Sequence, residues 1–490
     1  MFDSSSHLNM CLLLTNDSPS IGTLSHLPPL PLVIDYSEKT RTIVERKDEE
    51  NIRFGLQQRD HVHRVVLRAP SSRLRMWLEP MNKLFPRLED LSLVSTTAEE
   101  MKLVLPETLQ APNLRHLALH GIGLPTGLPL LSIAITLSTL TLTHIGASCY
   151  FPPGNLITHL QNLSYLEELS IGFAIPIPLP SSEKELLPLP IPPVTLPTLR
   201  QLTFRGVDVY LDNLVAQINA PLLERLNLTL LFDLAFTLVN LTDFIHRTER
   251  FGCLIAQVIF NKDGASIYSG SYDSEQSVTG KLNLHVSCEP LDWLIDSATQ
   301  VCIALGDVLL AVEELTLALD VDGMPSDWEK TLDSVLWLEL LLPFTGAKKL
   351  HIGSSLAREV SQALESDDGG LVSELLPDLQ ELEVQLEIDD AKKVFSALVQ
   401  TRESMGRPIH LLAAPTLRHT KPNKLPVAPK MVRPPFITPK DFGSPYRKPA
   451  MALISICQTF VYMQEQAFRS YDELRRYRQI IFILRLVQLL

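Results

Sequence analysis

The sequence predicts an α/β solenoid: a curved parallel sheet with helices on its convex side, followed by a disordered tail. Three observations predict it. A short phrase built on leucine-x-leucine returns ten times between residues 61 and 384. The segments between its copies carry apolar residues at helical spacing. From Ala413 onward both patterns stop.

The bulk properties fit a packed protein. The chain has 490 residues, 45% of them apolar and 20% charged, enough for a large buried core. Its formal charge of −13 argues against a chain built mainly to coat nucleic acid, since phosphate binding rests on Lys and Arg. The cysteines (Cys11, Cys149, Cys253, Cys288, Cys302, Cys457) are scattered without a C-x-x-C pair, so reduced thiols are expected, not a disulfide or zinc framework.

Residues 1–26 read as a disordered N-terminus. Their one apolar run, MCLLL, is too short for a signal-peptide core, and no stretch of about 18 uncharged apolar residues occurs anywhere. A cytoplasmic or nuclear protein follows as the expectation. The solenoid is expected over 27–412. Its refrain appears as PRLEDLSL (86–93), PNLRHLAL (112–119), PTLRQLTF (197–204), PLLERLNL (221–228) and PDLQELEV (377–384). Without the proline it returns as HVHRVVL (61–67), LSTLTL (137–142), YLEELSI (165–171), VEELTLAL (312–319) and AKKLHI (347–352). The anchors Val62, Leu88, Leu114, Leu137, Leu166, Leu199 and Leu223 lie 23 to 33 residues apart, an irregular leucine-rich-repeat period. In a short strand alternate residues share a face, so Leu117 and Leu119 should point inward while His116, Ala118 and His120 point out. No unit can bury its apolar edge alone; stacking the units buries all of them.

The intervening segments supply the helices. DNLVAQINAPLLE (212–224) and DWLIDSATQVCIALGDVLLAVEEL (292–315) have helical spacing, with Asp212 and Asp292 as N-cap candidates. Proline is expected to close each helix before the next strand. Two places break the rhythm. The proline-dense stretch 174–197 reads as an extended loop. Between Leu228 and Val312 the refrain fades, although IAQVIF (255–260) and KLNLHV (281–286) read as strands on either side of a polar hairpin-like stretch, 261–280, with their order left open. Residues 413–450 hold eight Lys or Arg and one Asp among many prolines, a basic linker; 451–490 should form a terminal helix.

Longer phrases carry a family resemblance. LPPLPLVIDY (27–36), LVLPETLQAPNLRHLALHG (103–121), TLPTLRQLTFRGVDVYLDNLVAQINAPLLERL (195–226), LDWLIDSATQ (291–300), LLPDLQELE (375–383) and GRPIHLL (406–412) are collinear with the fungal, chiefly mushroom-lineage, F-box and leucine-rich-repeat proteins, which the chain resembles over 27–412. The resemblance implies substrate recognition within ubiquitin-ligase complexes. The 26 residues ahead of LPPLPLVIDY are too few for the F-box helices, so no adaptor-docking residue is carried over and adaptor binding is not expected.

Catalytic signatures are sparse. The P-loop, G-x-S-x-G and H-E-x-x-H patterns do not occur. GIGLPTG (121–127) misses the dinucleotide spacing and reads as a turn; LDVDGMPSDWE (319–329) lacks a third early ligand of a calcium loop. His61 with His63, and His116 with His120, lack the further ligands that zinc needs. No catalytic residue, metal, cofactor or small-molecule substrate is therefore expected, and the reading is a non-enzymatic binding module. Its candidate contacts are the outward positions of the sheet: Arg64, Arg68, His116, His120, Gln201, Arg205, Arg225, Asn227, Lys349, Glu381 and Glu383. The partner would be a protein, with a ubiquitylation target implied by the resemblance. The alternative is a nucleic-acid- or membrane-associated adaptor acting through the basic tail and terminal helix.

Overall fold

The computed structural model describes residues 12–14, 31–37, 46–97, 103–125, 129–174, 193–231, 238–248, 253–272, 278–287, 291–320, 334–365 and 375–413. The basic linker and terminal helix expected over 413–490 fall outside these residues from 414 on, as does most of the proline-dense loop. The protein is mixed α/β, with a large, mostly parallel sheet and helices between its strands.

The strands of the first half are β1 (Leu12–Leu14), β2 (Leu32–Ser37), β3 (Val62–Ala69), β4 (Asp90–Ser95), β5 (His116–His120), β6 (Thr139–Ile145), β7 (Glu168–Phe173), β8 (Val194–Thr195) and β9 (Gln201–Gly206). The second half adds β10 (Ile218–Asn219), β11 (Arg225–Leu231), β12 (Ile255–Asn261), β13 (Gly264–Tyr272), β14 (Val278–Ser287), β15 (Glu314–Leu319), β16 (Lys349–Ile352), β17 (Glu381–Val384) and β18 (His410–Ala413). Sixteen of them form one sheet, in the order β1-β2-β3-β4-β5-β6-β7-β9-β11-β14-β13-β12-β15-β16-β17-β18; β8 and β10 pair apart. Every copy of the refrain is a strand of the large sheet.

The register explains why leucine recurs. Val65, Leu91, Leu117, Leu140, Leu169, Leu202, Leu226 and Leu282 are successive partners across eight strands. A second row runs Leu67, Leu93, Leu119, Leu142, Ile171, Phe204, Leu228 and Leu284. All of these side chains are buried, and they share one hydrophobic cluster with the helices. Each buried leucine contributes roughly 1.5–3 kcal/mol, so the rows are the main favourable term. His116, Ala118 and His120 lie on the other face, as the alternation requires.

The proline of the refrain has a different task from the one expected. In Phe85-Pro86-Arg87-Leu88 the Leu88 N–H donates to the Phe85 carbonyl at 3.4 Å, and the same closure recurs from Leu114 to Ala111, Leu199 to Leu196, Leu223 to Ala220 and Leu379 to Leu376. Proline therefore occupies the second position of a β-turn, where its fixed φ is already correct. It opens the turn that aims the anchor leucine into the core. Ala134–Leu137 and Leu163–Leu166 close alike without proline. Past each turn two successive N–H groups reach the preceding unit: Arg200 and Gln201 donate to the Glu167 carbonyl, then Glu224 and Arg225 to that of Arg200.

Helices follow the strands: α1 (Arg46–Gln57), α2 (Ser71–Leu78), α3 (Pro129–Ile133), α4 (Pro153–Leu160), α5 (Asp208–Ala216), α6 (Val239–His246), α7 (Leu291–Ala304), α8 (Gly306–Leu309), α9 (Ser334–Leu341), α10 (Ala357–Glu365), α11 (Ile388–Val394) and α12 (Ser396–Ser404). Two expected caps are corrected. Helix α5 starts at Asp208, which puts Asp212 inside it. From there the Asp212 carboxylate accepts the N–H groups of Asn240 and Leu241 at 2.9 and 3.1 Å and the Asn240 side-chain amide at 2.7 Å. It caps the next helix, α6, across 28 residues of chain. Asp292 likewise falls inside α7, which begins at Leu291, and the long helix expected over 292–315 is broken at Leu305 before α8.

The middle and the N-terminus also differ. The stretch 261–280 is not a simple hairpin loop, because Gly264–Tyr272 is itself a strand, antiparallel to both β12 and β14. The Asn261 side chain accepts the Asp263 N–H at 2.9 Å, an Asx-turn that reverses the chain at once. Gly264, at φ 155°, leaves no room for a Cβ: one would lie 2.0 Å from the Val286 carbonyl oxygen. The chain thus skips two places, lays down β12, β13 and β14 backwards, and β14 closes the gap against β11. At the other end Leu12–Leu14, within the segment expected to be disordered, pairs with Leu32–Ile34 as an edge strand. Its apolar run satisfies an otherwise open edge of β2.

Candidate partner-binding face

All eleven residues expected to make contacts lie on the face of the sheet opposite the core, and none is buried. The parallel register arranges that face into three rows. The row at the strand starts runs Arg64, Asp90, His116, Thr139, Glu168, Gln201 and Arg225. The central row runs Val66, Ser92, Ala118, Thr141, Ser170, Thr203, Asn227 and Asn283. Between β3 and β14 it is neutral, and small for most of its length; beyond Val66 it continues to Asp35 of β2. The row at the strand ends holds Arg68, Val94, His120, Thr143, Gly172, Arg205, Thr229 and His285. Between Thr143 and Gly172 the pairing shifts, and the displaced residue, His144, adopts a positive φ of 57°.

The first row holds one ion pair. The Arg64 guanidinium lies 3.2 Å from the Asp90 carboxylate. The same holds at the far end of the sheet, where Lys349 meets Glu381 at 2.8 Å and His351 lies between Glu383 at 2.7 Å and Glu314 at 3.1 Å. The hydrogen bond from Lys349 holds the Glu381 carboxyl below its ordinary range. These groups form a linked, net acidic ladder over β15, β16 and β17.

The strand-end row is different. The Nε atoms of Arg68 and Arg205 are buried and have no hydrogen-bond partner, and among the described residues neither guanidinium forms an ion pair. Burial lowers the Arg205 pKa from its ordinary value. The His120 and His144 rings stack loosely, centroids 4.5 Å apart. Burial pushes His120 down to about 4, helped by His144 and by Arg68. His144 is lowered by burial and by Arg205. His285 is lowered for the same two reasons against an opposing pull from Asp263, and its Nδ1 lies 2.9 Å from the Ser266 hydroxyl. The row therefore holds two half-buried guanidiniums and three imidazoles kept neutral around them.

Of the expected residues, the structure brings Arg68, His120 and Arg205 into this one row, Arg64, His116, Gln201 and Arg225 into the row at the strand starts, and Asn227 into the central one. Lys349, Glu381 and Glu383 stand apart on the acidic side. Sequence reasoning missed His144 and His285. The K-x-N-x-H alternation of KLNLHV was a usable signal for His285. Nothing local marked His144, whose orientation comes from the shift in pairing. No helix among the described residues is long and apolar enough to cross a membrane. Neither a protein-family model nor a curated protein matches this chain.

Proposed function

We propose that the chain is a leucine-rich-repeat solenoid acting as a non-catalytic protein-recognition module, with the open face of its sheet as the contact surface. One observation carries the reading. A face that keeps a long strip of small neutral side chains between two charged rows offers a partner both a floor and polar edges. Stacked repeats bind through such extended surfaces. The resemblance to fungal F-box and leucine-rich-repeat proteins adds that the partner is a ubiquitylation target, met in the cytoplasm or the nucleus.

The test is affinity capture on the full chain with identification of what is retained. Arg205→Glu combined with Arg225→Glu should abolish retention of the specific partner. Arg358→Glu, on the exposed side of α10, should not. Equal retention by the face variant and the wild type would move the contact to the helices or loops. Truncation after Ala413 separates the tail reading from this one: capture by the face persists without the tail, whereas an adaptor acting through residues 414–490 loses its localisation.

A further inference from the structure

We propose that the strand-end row of Arg68, His120, His144, Arg205 and His285 is the specificity element of this face, and that it takes an extended acidic segment of the partner protein laid across the strands. This rests on the open face being the contact surface, and it specifies the chemistry that the face selects.

Geometry comes first. From β3 to β14 the row crosses β4, β5, β6, β7, β9 and β11. At about 4.8 Å per strand it is roughly 34 Å long, the reach of an extended peptide of about ten residues. The occupant is therefore elongated; a small free anion would touch one end only. Gly172 contributes no side chain between His144 and Arg205, which keeps the track continuous at its centre.

Charge complementarity gives the sign. Each of the two guanidiniums has its Nε–H buried without an acceptor, and a buried donor left unsatisfied favours any ligand that brings an acceptor to the group. Carboxylates and phosphates supply that acceptor bidentately to arginine. The protein's own acids are engaged elsewhere: Asp90 with Arg64, Glu314 and Glu383 with His351, Glu381 with Lys349. Asp35 of β2 lies in the central row beside Val66, and Asp263 faces His285 from the turn after β12. Neither forms an ion pair with Arg68 or Arg205. The carboxylates of Glu314, Glu381 and Glu383 repel an acidic chain placed over β15, β16 and β17, which favours the strand-end row as its landing site. Nucleic acid is the poorer fit, because only two permanent cations line the track while the chain as a whole carries −13.

The experiment measures binding of fluorescent decapeptides to the full chain by anisotropy. The probes are an alternating Glu-Ser peptide, the same peptide with phosphoserine, a Lys-Ser control and a ten-nucleotide single-stranded RNA. The two acidic peptides should bind at least tenfold tighter than the control, and their ranking says whether carboxylate or phosphate is the preferred group. Arg68→Gln combined with Arg205→Gln should weaken them tenfold or more. Arg358→Gln, on the exposed side of α10, should change them less than twofold. A circular-dichroism melt keeps misfolding apart from lost binding. Equal weakening by Arg358→Gln, absence of acidic-peptide binding, or tighter binding of the RNA would each overturn the assignment. If the captured partner still depends on the face but ignores Arg68→Gln with Arg205→Gln, the row fails and the face stands; if the face variant leaves capture intact, both fail.

Discussion

The imidazoles of the strand-end row make stability depend on pH in a definite direction. His120 titrates near 4 in the folded protein against 6.5 when free, and His144 and His285 are lowered as well. Between those values the unfolded chain binds protons that the folded chain refuses, so these imidazoles make stability fall as pH drops from about 6.5 toward 4. Urea midpoints taken at several pH values should follow that course. His120→Asn should flatten the slope while leaving the midpoint at pH 8 nearly unchanged; an unaltered slope would mean the ring is not held neutral. The buried leucines give a second prediction. Leu202 and Leu226 are direct partners and fully enclosed, so Leu202→Ala or Leu226→Ala should each cost about 2–5 kcal/mol by denaturant unfolding. Arg225, one residue from Leu226 but on the open face, should cost little when changed to alanine.

Asp212 and Gly264 show what binds one element to the next. Asp212 spends its carboxylate on the first N–H groups of α6, which α6 cannot satisfy itself, since Leu238 offers no capping side chain. Asp212→Ala should therefore destabilise the protein by about 1–2 kcal/mol and raise hydrogen exchange in α6 more than in α5, where Asp212 resides. Helical spacing marked Asp212 as a cap but at the start of its own helix, and neither its place inside α5 nor its target could be read: 28 residues separate donor from acceptor, and only packing brings the two helices together. Gly264→Ala should cost at least about 1–3 kcal/mol through backbone strain and the close approach to Val286. The effect belongs to the β12–β13–β14 insertion, so exchange should rise in β13 before it rises in β5 or β6.

Across the whole molecule, pairing is nearly sequential except where β14 and β12 exchange places. Strands with covered neighbours on both sides lose less to fraying than those at an edge. Hydrogen-exchange mass spectrometry should find the strongest protection in β9, β11 and β14 and the weakest in β1, three residues long, and β18, whose side chains are partly exposed. Uniform protection from β1 to β18 would contradict a stack of neighbour-stabilised units.

Alternation and repetition in the chain were enough to locate each refrain strand, the phase of its side chains and the face that carries Arg68, His120 and Arg205. That follows because burial of a period-two apolar pattern is a local property: a slip by one residue would expose every leucine of the rung. They were not enough to order β12, β13 and β14, to send Asp212 to a distant helix, or to turn His144 toward His120. Those outcomes hang on contacts between segments far apart in the chain. No local pattern encodes a contact whose two halves meet only after the sheet has formed.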